Sequence, residues 1–131
     1  MKASLASRDM AEEYFARPSG MEGVTSNDWM DDGFILAHYK AGDTLELHVD
    51  GQSSEEGNNG LRVATALFFL NQAEGGELEF PLQNQIFKPT LGMGIMFPVD
   101  YNFPHRVLKA KTDRYILQTW LTDPRYQVVR A

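Results

Sequence analysis

Between residues 34 and 122 the chain breaks into eight short runs in which apolar residues dominate or alternate with polar ones. These runs limit its fold more than any other feature. They are Phe34 to Tyr39, Thr44 to Asp50, Leu61 to Asn71, Glu77 to Phe80, Gln85 to Lys88, Gly94 to Phe97, Arg106 to Lys109 and Arg114 to Thr122. Gly42, Gly75-Gly76, Pro81, Pro89 and Gly92 punctuate them, as expected for strands that end in turns. The pattern predicts a mainly β fold, a two-sheet jelly roll or double-stranded β-helix of about eight strands, which protects its edges and leaves a mouth for a ligand.

The flanks read differently. Ala3 to Phe15 consists of good helix formers, with Leu5, Met10, Ala11, Tyr14 and Phe15 as a partial apolar stripe that Pro18-Ser19-Gly20 ends, which predicts an N-terminal helix packed on a sheet. Residues 20–33 have no clear period and are expected to form a connecting loop with Trp29 and Met30 buried. The whole chain, 1–131, reads as a single domain: leader and loop over 1–33, jelly-roll core over 34–122, and a tail over 123–131. The segment 51–60, rich in Gly, Ser and Asn, is the one clearly loose stretch, and its position suits a lid.

In Thr44-Leu45-Glu46-Leu47-His48-Val49-Asp50 the even positions are polar and the odd ones apolar, the alternation of a half-buried strand. Side chains at i and i+2 share a face, so His48 and Asp50 aim an imidazole and a carboxylate at one point, on the side opposite Leu45, Leu47 and Val49. His105, far along the chain, is the candidate third ligand. Two histidines and one carboxylate on one side of a metal leave coordination positions open, the arrangement of non-heme Fe(II) oxygenases. The chain has no cysteine, so a metal must rest on imidazole and carboxylate groups. His38, the remaining histidine, faces the other way from Tyr39 and reads as structural or exposed.

Composition narrows the partners. Eight Phe, five Tyr and two Trp within 43% hydrophobic residues are enough for one core. Twelve basic against 18 acidic side chains give a net charge of −6, which disfavours a phosphate backbone and so nucleic acid. No apolar run approaches the roughly 20 residues that span a bilayer, and no secretory leader is evident, so the expectation is a cytoplasmic protein without a membrane partner.

On the last strand Arg114, Ile116, Gln118 and Trp120 share a face, so a guanidinium and an indole can line one pocket wall. If the Arg106 to Lys109 run is an antiparallel neighbour of that strand, Arg114 sits deep in the cavity and the metal nearer its mouth.

Several short pieces now fall into a familiar order. Tyr39-Lys40-Ala41-Gly42-Asp43, His48-Val49-Asp50, Arg62-Val63-Ala64-Thr65, Phe69-Leu70-Asn71, Gly75-Gly76-Glu77-Leu78, Pro89-Thr90-Leu91-Gly92, Phe97-Pro98, His105-Arg106-Val107 and Arg114-Tyr115 through Trp120 follow one another. In this the chain resembles the prolyl-4-hydroxylase-like 2-oxoglutarate and Fe(II)-dependent oxygenases over residues 34–122. The resemblance implies that His48, Asp50 and His105 bind Fe(II) and that 2-oxoglutarate chelates two further positions. It also implies that Arg114 holds the distal C5 carboxylate with help from the Tyr39 hydroxyl. A forked guanidinium orients a carboxylate better than a lysine point charge.

Arg62 matches a position that can contact a peptide substrate, and Trp120 is the second candidate substrate contact. The implied reaction couples oxidative decarboxylation of 2-oxoglutarate to hydroxylation by molecular oxygen, with ascorbate as reductant. The substrate would be a peptide, a protein or a free amino acid, with proline the first candidate. Two positions depart from the family pattern. Leu78 stands where many prolyl hydroxylases have Thr, and Leu45 where they often have Tyr. The alternative reading is a non-catalytic, cupin-like jelly-roll binding module, although the H-x-H plus Glu pattern of metal cupins is absent.

Overall fold

A computed structural model of the chain describes residues 10, 30–51 and 61–123. Among these, nine antiparallel strands form two sheets. In chain order they are β1 (Met30–Asp31), β2 (Ile35–Tyr39), β3 (Leu45–His48), β4 (Leu61–Phe69), β5 (Leu78–Phe80), β6 (Gln85–Phe87), β7 (Gly94–Pro98), β8 (His105–Val107) and β9 (Arg114–Asp123). The larger sheet is built on β9, which pairs with β1 and β2 along one side and with β4 on the other; β7 completes it beyond β4. The smaller sheet runs β3-β8-β5-β6.

The long strands are the buried ones. β4 carries Ala64, Thr65, Ala66, Leu67 and Phe69 away from solvent, and β9 buries Arg114, Ile116, Thr119 and Leu121 through Asp123. β-branched and small residues suit these positions because both faces of a central strand are covered. Leu67, Phe69, Phe97 and Ile116 from the larger sheet meet Leu78, Phe80 and Val107 from the smaller one to make the core. Burying each such side chain contributes roughly 1.5–3 kcal/mol.

Each of the eight expected runs overlaps a strand, with some bounds shifted by a residue or more, and a ninth strand lies outside them. Met30 and Asp31 pair with Thr122 and Leu121 as β1 inside the region read as loop, and Thr122 Oγ1 donates to the Met30 carbonyl. A two-residue strand carries no period to read. Met30 is 57% exposed and not buried as expected, because it lies at an outer strand of the sheet. The helix expected over 3–15, apart from Met10, lies outside the described residues. So do Trp29, residues 52–60 of the loose stretch and the tail beyond Asp123.

Two features of pairing place the site. β8 lies in the smaller sheet, between β3 and β5, so the expected neighbour relation to the last strand does not hold. His105 and Arg114 therefore come from opposite sheets and face each other across the interior. In addition, β3 pairs Leu45 with Val107 and His48 with His105, three steps on one strand against two on the other. That bulge breaks the strict alternation and turns Leu45 and His48 toward one cavity, where simple alternation had put them on opposite faces.

Candidate metal centre

His48 ends β3, Asp50 follows it by two residues, and His105 opens β8 directly across from His48. His48 Nε2 and His105 Nε2 each lie 3.3 Å from Asp50 Oδ1. One ligand atom from each of the three residues can be chosen so that all lie within 4.8 Å of one another. Adjacent ligand atoms about 2.1 Å from a shared ion are about 3 Å apart, so the trio is nearly at bonding geometry.

Backbone contacts orient both rings. His48 Nδ1–H donates to the Glu46 carbonyl at 2.7 Å, and His105 Nδ1–H donates to the Phe103 carbonyl at 3.1 Å. In its neutral form each ring so held turns an Nε2 lone pair toward the common point, as metal-ligating histidines require, and in its protonated form the same Nε2–H donates to Asp50. Phe97 and Phe80 pack against the His105 ring at centroid distances of 4.7 and 5.4 Å, and His105 is buried. His48 is the more open ligand, about a third exposed. Asp50 is held on both sides: its second oxygen, Oδ2, accepts a 2.5 Å hydrogen bond from Thr65 Oγ1.

The electrostatics follow from these contacts. Burial alone would raise the Asp50 carboxyl, but hydrogen bonds from His105, His48 and Thr65 outweigh it and hold the group far below the usual carboxylate range. The hydrogen bond to Asp50 lifts His48 above its ordinary value, against the opposing effect of burial. The carboxylate is thus ionised and ready for a cation at any physiological pH.

The trio opens into a cavity of about 200 Å³ between the sheets, with Leu45, Leu67, Leu78, Phe97, Val107 and Ile116 among its apolar walls. Arg114 lines the same cavity from β9, alongside Gln118 and Trp120. Arg114 is fully buried, and none of its three guanidinium nitrogens has a hydrogen-bond partner. Burial pushes its pKa down, with Tyr39 acting the other way. Tyr39 is its cross-strand partner in the β2–β9 register, with the Tyr39 ring 4.7 Å and the Phe69 ring 5.3 Å from Cζ. Ring contacts of this kind contribute roughly 0.5–2 kcal/mol. A buried charge left uncompensated costs roughly 3–5 kcal/mol, so the guanidinium calls for an anion in the cavity.

A second cavity, about 570 Å³, touches the first through Asp50 and Trp120 and is lined also by Asp32, Gly33, Phe34, Ile35 and Arg62. Arg62 Nε and Nη2 donate to Asp32 Oδ2 at 3.3 and 3.2 Å, and its Cζ sits 3.9 Å above the Trp120 ring. Trp120 Nε1 is buried without a hydrogen-bond partner.

Every candidate site residue thus falls at one of two joined cavities: His48, His105, Tyr39 and Arg114 around the inner one, Arg62 at the outer one, and Asp50 and Trp120 bordering both. His38 stands apart. It stacks on Tyr115 at 4.3 Å and pairs with Asp113 at 2.9 Å on the outside of β2, as the strand phase implied. Thr65 was the functional residue the sequence reading passed over. A lone hydroxyl inside the apolar run Ala64-Thr65-Ala66-Leu67 was its only signal.

Comparison with known proteins agrees with this arrangement. Residues 34–122 match the family model described as the 2OG-Fe(II) oxygenase superfamily. No curated protein matches in sequence. Among solved structures, a viral collagen prolyl hydroxylase from Paramecium Bursaria Chlorella virus-1, in its 2OG complex, superposes with a TM-score of 0.71 at 20% identity. That alignment covers 99% of this chain and 75% of the viral one. A Pseudomonas putida prolyl-4-hydroxylase gives 0.56 at 25% identity over 68% of this chain and 50% of its own. A Trichoplax adhaerens prolyl hydroxylase, complexed with a hypoxia inducible factor oxygen degradation domain peptide, gives 0.60 at 25% over 89% and 55%.

Proposed function

The chain belongs to the 2OG-Fe(II) oxygenase superfamily, and on that premise we propose that it hydroxylates a peptidyl or free amino acid, with proline the first candidate. As a member it is a 2-oxoglutarate-dependent dioxygenase, and its cofactors are Fe(II) and 2-oxoglutarate. We read its two facing sheets as the jelly roll of that superfamily. The observation that carries the reading is a single cavity lined both by a converged His-Asp-His trio and by an orphaned, buried guanidinium.

In this reading His48, Asp50 and His105 hold the iron through two Nε2 atoms and one carboxylate oxygen. The metal and 2-oxoglutarate together supply the oxygen chemistry: decarboxylation to succinate and CO2, coupled to insertion of one oxygen atom into a substrate C–H bond. The chain's own residues bind, orient and keep water out. The Arg114 fork takes the distal carboxylate, Tyr39 flanks it, and Leu67, Phe97, Val107 and Ile116 dry the space between. Leu78, where many prolyl hydroxylases have Thr, adds an apolar wall and no hydroxyl, so more of the anchoring falls on Arg114. Arg62 and Trp120 line the outer cavity, where substrate would lie beside Asp50.

The prolyl assignment draws support from prolyl hydroxylases among the structural neighbours and from Arg62 and Trp120 beside the site. Its test is succinate release with Fe(II), 2-oxoglutarate and ascorbate against proline-containing peptides and free amino acids, with mass spectrometry for a gain of one oxygen. Product on a proline peptide supports it. Turnover with no oxygenated proline product removes proline while keeping the enzyme class.

A further inference from the structure

Gly75 and Gly76 form the turn that leads into β5, and both have φ of +64°. Gly75 makes an isolated bridge with Ala110, and Gly76 N–H donates to the Lys109 carbonyl at 3.1 Å. The turn thereby lies against the segment that joins β8 to β9, immediately before Arg114. A Cβ on Gly75 would lie 2.4 Å from the Lys109 carbonyl oxygen, a clash with backbone, so that glycine is required by the turn itself. Gly76 is different. A Cβ there would lie 2.9 Å from Arg114 Cδ, while its next neighbour, Ala110 Cβ, is at an ordinary 3.6 Å.

The bare Cα of Gly76 is thus the floor on which the Arg114 side chain lies. Arg114 is fully buried and cannot swing into solvent to relieve a contact at Cδ. Any displacement is carried to the guanidinium. We propose that Gly76 is a positioning residue for the 2-oxoglutarate site: its missing side chain sets where the Arg114 fork points. The proposal rests on the reading that Arg114 takes the distal carboxylate.

The experiment measures binding by calorimetry on Mn(II)-loaded protein without oxygen, with 2-oxoglutarate and with 2-oxopentanoate, the same 2-oxo acid lacking the distal carboxylate. Gly76→Ala is expected to weaken 2-oxoglutarate about tenfold or more and to leave 2-oxopentanoate within about threefold, since only the forked contact is misplaced. Gly92→Ala supplies the control for backbone strain. Gly92 also has positive φ, +82°, but a Cβ there meets nothing within 4 Å. It should bind both acids as the unaltered protein does.

Arg114→Met separates the two claims. If it weakens 2-oxoglutarate by at least about thirtyfold while Gly76→Ala leaves it within about threefold, the Arg114 reading stands and the Gly76 proposal is overturned. If Arg114→Met changes nothing, both are overturned. Equal weakening of the two acids by Gly76→Ala also overturns the proposal, because the effect is then not specific to the carboxylate.

Thermal unfolding covers the case in which Gly76→Ala folds poorly. Placed in an Arg114→Ala background, where Cδ is absent, Gly76→Ala should lower Tm no more than Gly92→Ala does. An equal loss of Tm, or failure to fold, in both backgrounds shows that the contact is not responsible and overturns the proposal.

Discussion

Thr65 Oγ1 donates a 2.5 Å hydrogen bond to Asp50 Oδ2, the carboxylate oxygen that neither His48 nor His105 engages. Thr65 sits mid-strand in β4, fully buried and opposite Trp120 in the β4–β9 register. It is thus a rigid support for the one ligand that no strand holds. Such a bond to a charged acceptor contributes roughly 1.5–3 kcal/mol.

Thr65→Val keeps the shape and removes the hydroxyl. Outer-shell changes of this kind cost about 10- to 100-fold in metal affinity. Calorimetric titration with Mn(II) should show that loss, with Thr65→Ser close to the unaltered protein. Equal affinity in Thr65→Val would mean that Asp50 needs no such support.

Arg114→Met trades function for stability. It removes an uncompensated buried cation from the ligand-free protein, so Tm should rise, while affinity for 2-oxoglutarate collapses. Arg114→Lys keeps the charge but not the fork and should raise KM for 2-oxoglutarate by about tenfold or more. A fall in Tm for Arg114→Met would show that its contacts with Tyr39 and Phe69 outweigh the cost of burying the charge.

The pH dependence has a definite sign. His48 is raised in the folded, metal-free protein, so its pairing with Asp50 stabilises fully below the unfolded value of 6.5. That stabilisation is lost as pH rises through the higher folded value. Over the same interval a metal no longer competes with a proton for Nε2, so Mn(II) affinity should climb as pH rises through that folded value. In His48→Gln the climb should flatten. An affinity independent of pH across this range would contradict the raised His48.

Arg62→Met should act on substrate alone. It removes the cation from the Trp120 face and from Asp32 without touching the inner cavity. KM for the hydroxylated substrate should rise, and 2-oxoglutarate affinity should stay within about twofold, because Arg62 does not line the inner cavity and meets it only through Trp120. A parallel loss of both would place Arg62 in the support of the metal centre.

Much of this was legible in the sequence because strands advertise themselves by two-residue periods and by the Gly and Pro that end them. His48 and Asp50 could be placed on one face from spacing alone, and the ordered pieces through Trp120 supplied His105 and Arg114. What escaped depends on how strands pair. The bulge that turns Leu45 in with His48 leaves no mark in the alternation of residues 44–50. The two-residue β1 is too short to have a period. That His105 and Arg114 come from opposite sheets follows from long-range register, which the eight residues between them do not reveal. Thr65 looked like any strand threonine until its hydroxyl was seen to face Asp50. The role of Gly76, too, emerges only once Arg114 is laid across it.

The most direct measurement of the central claim is visible absorption during anaerobic addition of Fe(II) and then 2-oxoglutarate, which reports charge transfer from iron to a chelated 2-oxo acid. One equivalent of each should produce the band in the unaltered protein. Asp50→Ala and His105→Ala, checked as folded by circular dichroism, should abolish it. A band of equal strength and stoichiometry in His105→Ala, or none in the unaltered protein carrying bound iron, would contradict a centre built from His48, Asp50 and His105 with room for 2-oxoglutarate.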